Sequence, residues 1–184
     1  MKIDIAELSI TKVSIPDWEN KKEMVMKLTK PEYFLQQDDH TFSDFHYTVE
    51  RRKHTGLHPY THKFFEILDF QPHVYFGGHE DDYTCSDLWC MNYGTGGKIH
   101  VHDHHFGMSG ILYAKFDPVF QESTTFISPV RTIWDHRPTN ITPDVEEGDL
   151  LLFPSQLLHY TQPNSSDDNR IVFSFNIRPT GYVG

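Results

Sequence analysis

The chain has 184 residues, of which 38% are hydrophobic, 14% aromatic and 23% charged, the composition of an ordinary folded protein and the length of one domain. Sixteen basic residues against 26 acidic ones leave a net charge of −10, which repels phosphate backbones and anionic lipid and argues against nucleic acid or membrane as the main partner. No apolar run approaches the roughly 18 residues of a membrane span, and the opening MKIDIAELSI lacks a signal peptide's hydrophobic stretch, so a cytoplasmic location is expected.

Taken in chain order, Ile3 to Ile15 alternates weakly and predicts one or two edge strands, ended by Pro16. Asp17 can then cap a helix whose Trp18, Val25 and Leu28 share a face, with Lys21, Lys22 and Lys27 outside and Lys30-Pro31 as the stop. A second helix is predicted from Pro59 to Phe70, because Tyr60, Phe64, Ile67 and Leu68 fall at spacings that share one face. The polar, His-rich stretch between them, residues 36 to 58, reads as a long loop.

From about residue 84 the pattern turns to short apolar or alternating runs separated by Gly, Pro, Asn and Asp. The predicted strands are Asp87 to Tyr93, Lys98 to His102, Ser109 to Phe116, Thr124 to Ile127, Leu150 to Phe153, His159 to Thr161 and Ile171 to Ile177. Many short strands with close turn punctuation predict a mainly β sandwich or rolled barrel, with the helices packed outside it. No repeat or linker divides the chain, so a single domain over 1–184 is expected. Within it, residues 1–83 would be N-terminal strands and helices and residues 84–184 the β core.

Three features carry chemistry. Of 13 histidines, His100, His102, His104 and His105 fall within six positions. In a straight strand the alternate ones share a face, where two or three imidazoles could meet one metal ion. His159 follows the apolar run DLLLFPSQLL. Arg170 opens the buried-looking strand RIVFSFNI, where a guanidinium needs an anionic partner. Cys85 and Cys90 make neither a disulfide framework nor a zinc ribbon and read as reduced thiols.

In order, His-x-His, His159 and Arg170 resemble the 2-oxoglutarate- and Fe(II)-dependent oxygenases, in particular the prolyl-4-hydroxylase-like branch and its small bacterial and phage relatives. The resemblance runs from about Leu88 to Ile177 and rests on WCMNYGTGGKIHVH, SGILYAKF, EGDLLLFPSQLLHYTQPN and RIVFSFNI. It implies a double-stranded β-helix (jelly-roll) core with N-terminal buttressing helices. It also implies Fe(II), 2-oxoglutarate as cosubstrate, and O2, with a substrate hydroxylated while 2-oxoglutarate is released as succinate and CO2. Carried over by position, His100 is the first iron ligand, His159 the distal one, and Arg170 the bidentate partner of the cosubstrate's distal carboxylate. Tyr93 and Tyr113 match positions where the hydroxylase branch often has tyrosines that reach the cosubstrate, and Ser174, four after Arg170, would face the same way in a strand.

The family's carboxylate ligand belongs two residues after the first His, where this chain has His102, with Asp103 one further on. Three arrangements are open: a three-His site, a displaced Asp103 on a bulged strand, or a shifted register that uses His102 and His104. The ungapped match of YGTGGKIHVH favours His100, His102 and His159. A small molecule or a peptide is the expected substrate, and nothing in the sequence excludes a homodimer. The rivals are a three-His Zn(II) hydrolase or lyase, which leaves Arg170 without a role, and a cupin-like binding module without turnover.

Overall fold

The computed structural model describes residues 9–47, 58–104, 107–131 and 138–181. In chain order the elements are β1 (Thr11–Ser14), α1 (Trp18–Met26), β2 (Leu35–Asp38), β3 (Thr41–Ser43), α2 (Thr61–Leu68), α3 (Pro72–Phe76), β4 (Tyr83–Tyr93), β5 (Ile99–His102), β6 (Met108–Lys115), β7 (Thr124–Arg131), β8 (Pro138–Ile141), β9 (Asp149–Pro154), β10 (His159–Thr161) and β11 (Arg170–Pro179). Seven strands form a major sheet in the order β1-β9-β6-β11-β4-β3-β2, and four form a minor sheet in the order β5-β10-β7-β8. Every pairing is antiparallel. The fold is the expected jelly roll, mainly β, with its helices against one sheet.

The central strands of the major sheet are apolar on both faces because each face is covered. On the outer face Leu88, Leu112, Leu150, Leu152, Phe173 and Phe175 pack with Trp18 and Val25 of α1 and Phe64 and Leu68 of α2. On the inner face Trp89, Met91, Tyr93, Ile111, Tyr113, Leu151, Phe153 and Val172 meet Phe126 of β7. The run LLLF of β9 therefore reads as continuous rather than alternating. Full burial of a side chain such as Phe64 or Phe173 stabilises the fold by about 1.5–3 kcal/mol each. Gly110 of β6 lies opposite Phe175 of β11, and the Phe175 ring occupies the space of its missing Cβ, whose ideal position is 2.1 Å from Cζ.

Several local expectations need correction. Asp17 sits at the start of α1, but its φ is 57° and its side chain caps nothing. Its carboxylate accepts a bond from the Asn20 side chain instead, at 2.6 Å. The stretch read as a loop from residue 36 contains the hairpin β2–β3, and residues 48–57 lie outside the described part. β2 is exposed along its whole length and is defined by pairing rather than by burial, so it leaves no periodic trace. Helix α3 and strand β8 were not expected either, because PHVYF is short and PTNI holds Pro and Asn, both poor strand formers. The predicted strand residues Ile3 to Leu8 lie outside the described part.

Behind β4, Asp44 is fully buried just after β3. Its carboxylate accepts the Cys90 N–H at 2.7 Å and the Tyr60 hydroxyl at 2.5 Å, and His58 Nε2 stands 3.5 Å away. This polar cluster ties the approach to α2 onto the major sheet.

Candidate metal and cosubstrate site

The site lies between the sheets, and the backbone of β5 decides which histidines enter it. In the β5–β10 ladder His102 pairs with His159 and Ile99 with Thr161. Four residues of β5 thus span three of β10, a bulge of one residue that reverses the inside–outside alternation. Ile99, His102, His159 and Thr161 all line the cavity. His100 and Val101, the residues within the bulge, are both exposed.

The histidines brought together are consequently His102, His104 and His159, with ligand nitrogens all within 4.8 Å of one another. Ring centroids are 4.3 Å apart for His102–His159 and 5.2 Å for each of the other two pairs. The expected set of His100, His102 and His159 is not assembled, since a straight strand was assumed and β5 is bulged. Asp103 is exposed between the two inward histidines. The grouping corresponds to the shifted register that the sequence left open.

The tautomers follow from the neighbours. His102 Nδ1 lies 2.8 Å from the His100 carbonyl, and His159 Nδ1 lies 2.8 Å from the Leu157 carbonyl. A carbonyl only accepts, so each Nδ1 carries the proton and each Nε2 keeps its lone pair for a metal ion. Burial lowers the His159 pKa from 6.5 to about 3, helped by His102 and His104 and opposed by the Leu157 carbonyl. His159 is therefore neutral at pH 7, the form that ligates. Phe126 and Phe153 pack on its ring, at centroid distances of 5.8 and 5.0 Å, and Trp89 lies 5.5 Å from the ring of His104.

Arg170, at the head of β11, is fully buried. Its Nη1 donates to the Glu122 carbonyl at 2.7 Å and its Nη2 to the Gln162 carbonyl at 3.0 Å, while Nε has no partner. The guanidinium lies over the Tyr93 ring at 4.6 Å. Among the described residues no carboxylate forms an ion pair with it. Burial without such a partner pulls its pKa below the usual guanidinium range.

The remaining expected residues divide. Tyr93 and Ser174 line the cavity, and burial pushes the Tyr93 phenol up to about 12, so it stays a neutral donor. Tyr113 does not line it. Its hydroxyl donates to Thr124 Oγ1 at 3.0 Å and accepts the Thr124 N–H at 2.9 Å, joining the two sheets instead. Trp89, Ser109 and Thr161 also line the cavity, and sequence reasoning passed over them. Their signal was only their place on inward-facing strand positions.

Residues 87–176 match the profile of a family described as putative 2OG-Fe(II) oxygenase, a span that holds His102, His104, His159 and Arg170. No curated protein matches the sequence. Among solved structures the chain is similar to HygX from Streptomyces hygroscopicus with nickel and 2-oxoglutarate bound, with a TM-score of 0.68, 10% identity, and coverage of 96% of this chain and 85% of that one. It is similar to the viral collagen prolyl hydroxylase from Paramecium Bursaria Chlorella virus-1 in its 2OG complex, with a TM-score of 0.59, 13% identity, and coverage of 92% and 94%. It is also similar to SnoN, an alpha-ketoglutarate-dependent epimerase from nogalamycin biosynthesis, with a TM-score of 0.60, 13% identity, and coverage of 92% and 77%. At these identities the structures speak for the fold.

Profile and fold together point to the class: residues 87–176, just under half of the chain, match a family of 2-oxoglutarate- and Fe(II)-dependent oxygenases, and the protein is an oxygenase enzyme. Members of that class use Fe(II), 2-oxoglutarate and O2. The residues present fit those groups, because imidazoles suit Fe(II) and a buried unpaired guanidinium suits a carboxylate. Among the described residues no helix is long and apolar enough to cross a membrane.

Proposed function

We propose that this enzyme hydroxylates a small-molecule or peptide substrate, with His102, His104 and His159 as the iron ligands and Arg170 as the anchor of 2-oxoglutarate. The observation that carries the reading is Arg170: a fully buried cation with no carboxylate partner among the described residues and an unused Nε–H. Leaving such a charge unpaired is costly, and a dianionic ligand would relieve the cost. The prolyl-hydroxylase-like branch is supported by the likeness to the viral enzyme, and a small-molecule substrate by the likeness to HygX, one of whose structures holds hygromycin B. Residues 1–83 act as the buttress and 84–184 as the working core of one catalytic unit.

The residues divide the work. The carbonyls of His100 and Leu157 hold the Nδ1 protons of His102 and His159 and so aim both Nε2 lone pairs inward. Glu122 and Gln162 fix the guanidinium by its outer nitrogens, leaving its other N–H groups to grip a carboxylate, while Tyr93 and Ser174 offer hydroxyl donors from the cavity wall. Phe126 and Phe153 keep water from His159. When bound, Fe(II) would activate O2, the oxidant, while 2-oxoglutarate would give up two electrons as it is decarboxylated to succinate and CO2, one oxygen atom going to succinate and the other to the substrate.

Anaerobic addition of Fe(II) and 2-oxoglutarate to the purified protein is the test. A visible metal-to-ligand charge-transfer band is expected, followed by iron-dependent succinate formation on admitting air. If neither reagent changes the spectrum or the melting temperature while Zn(II) alone stabilises, the oxygenase reading fails and a three-His Zn(II) hydrolase replaces it.

A further inference from the structure

His102 and His159 are aimed by strand pairing and by a carbonyl at Nδ1. His104 follows the end of β5 in irregular chain, where the hydrogen bonds of its own backbone bear on its aim. Its backbone N–H donates to the Ser155 carbonyl at 2.9 Å, and the Ser155 N–H donates to the Gly107 carbonyl at 2.9 Å. The backbone of Ser155 therefore holds His104 on one side and Gly107 on the other.

Ser155 is itself held. Its hydroxyl lies 2.9 Å from that of Ser109, which donates to Asn176 Oδ1 at 2.7 Å. Asn176 Nδ2 donates to Asp87 Oδ2 at 3.4 Å, and Ser86 donates to the same oxygen at 2.7 Å. Asp87, Asn176 and Ser109 are cross-strand neighbours in one row over β4, β11 and β6. An amide nitrogen only donates and an amide oxygen only accepts, so the donors run one way: the Asn176 amide toward Asp87, Ser109 toward Asn176 Oδ1, and hence Ser155 toward Ser109. Ser109 and Ser155 are buried to within 2%, where an unmade hydrogen bond is costly. One consistent set of bonds thus fixes Ser155 in a single place.

We propose that Ser155, oriented by Ser109 and Asn176, is the positioning residue for His104 as a metal ligand. This inference rests on the reading of His104 as a ligand given above. The polar row transmits the rigidity of the central sheet to His104, the member of the His102, His104 and His159 group that lies outside a strand.

The test is a Co(II) titration of the full chain, read by ligand-field absorption and compared with far-UV circular dichroism and melting temperature. Ser155→Ala should bind Co(II) roughly ten- to a hundredfold more weakly, the range seen when groups that orient a ligand are removed. Its absorption should be altered, and Ser155→Thr should recover most of the affinity. Asn176→Ala, which cuts the row without touching the loop, should shift affinity the same way and serves if Ser155→Ala does not fold. In a His104→Ala background Ser155→Ala should cost nothing further. Wild-type affinity and absorption in folded Ser155→Ala or Asn176→Ala, with His104→Ala still impaired, would overturn the positioning role alone. Unchanged binding by His104→Ala would overturn the ligand reading and this inference with it.

Discussion

At Arg170 the chemistry of one side chain makes a sharp prediction. Arg170→Met removes the proposed anchor for a distal carboxylate and leaves the imidazoles alone, so 2-oxoglutarate binding should weaken by about 2–5 kcal/mol, or roughly thirtyfold to a few thousandfold, with metal affinity nearly unchanged. Isothermal titration of both ligands checks it, and an unchanged cosubstrate affinity would make Arg170 structural. The histidines give a second prediction. His100→Ala should keep metal affinity within about twofold, since that side chain faces solvent, whereas His104→Ala should lose most of it. The reverse result would mean that β5 is straight in solution. The convergence of His102 and His159 and the burial of Arg170 were legible in the sequence, from the inward-facing strand positions they occupy. The choice between His100 and His104 was not, because a one-residue bulge changes the facing of side chains without changing residue types.

Among the elements, the long, doubly covered strands and the helix α2 were legible from apolar runs and helical spacing. The hairpin β2–β3, strand β8 and the bulge in β5 were not, since pairing rather than side-chain pattern creates them. Gly110 belongs at this scale. Its neighbour across the β6–β11 ladder fills the space of a Cβ, so Gly110→Ala should destabilise by about 1–3 kcal/mol through overpacking. Chemical denaturation measures this, and pairing it with Phe175→Leu should recover part of the loss, giving a coupling energy well away from zero. Purely additive effects would show that the ring has room to move.

For the molecule as a whole, Asp44 sets a pH dependence. Burial raises its pKa from 3.8 to about 6, against the opposing bonds from Tyr60 and the Cys90 N–H. The folded state thus holds the proton more tightly than the unfolded state, and between about pH 6 and 4 this group makes stability rise on acidification; above pH 6 the cost of the buried charge is fully present. Relative to Asp44→Asn, the wild type should gain on the order of 3 kcal/mol of unfolding free energy from pH 8 to pH 4. A flat difference would mean that His58, 3.5 Å away, keeps the carboxylate ionised.

The place of β11 has a further consequence, for the order in which the chain is made. β11 lies between β4 and β6 at the centre of the major sheet, yet it follows every other strand in sequence. A ribosome releases β4 and β6 with no partner for the edges they will later share with β11, and β1 cannot close on β9 until some 135 further residues have emerged. The edges of β4 and β6 that β11 will cover stay open until the last strand is made, and apolar surface exposed in that interval is prone to aggregation. Arg170 opens this same strand, so the proposed cosubstrate anchor is installed in the step that completes the sheet.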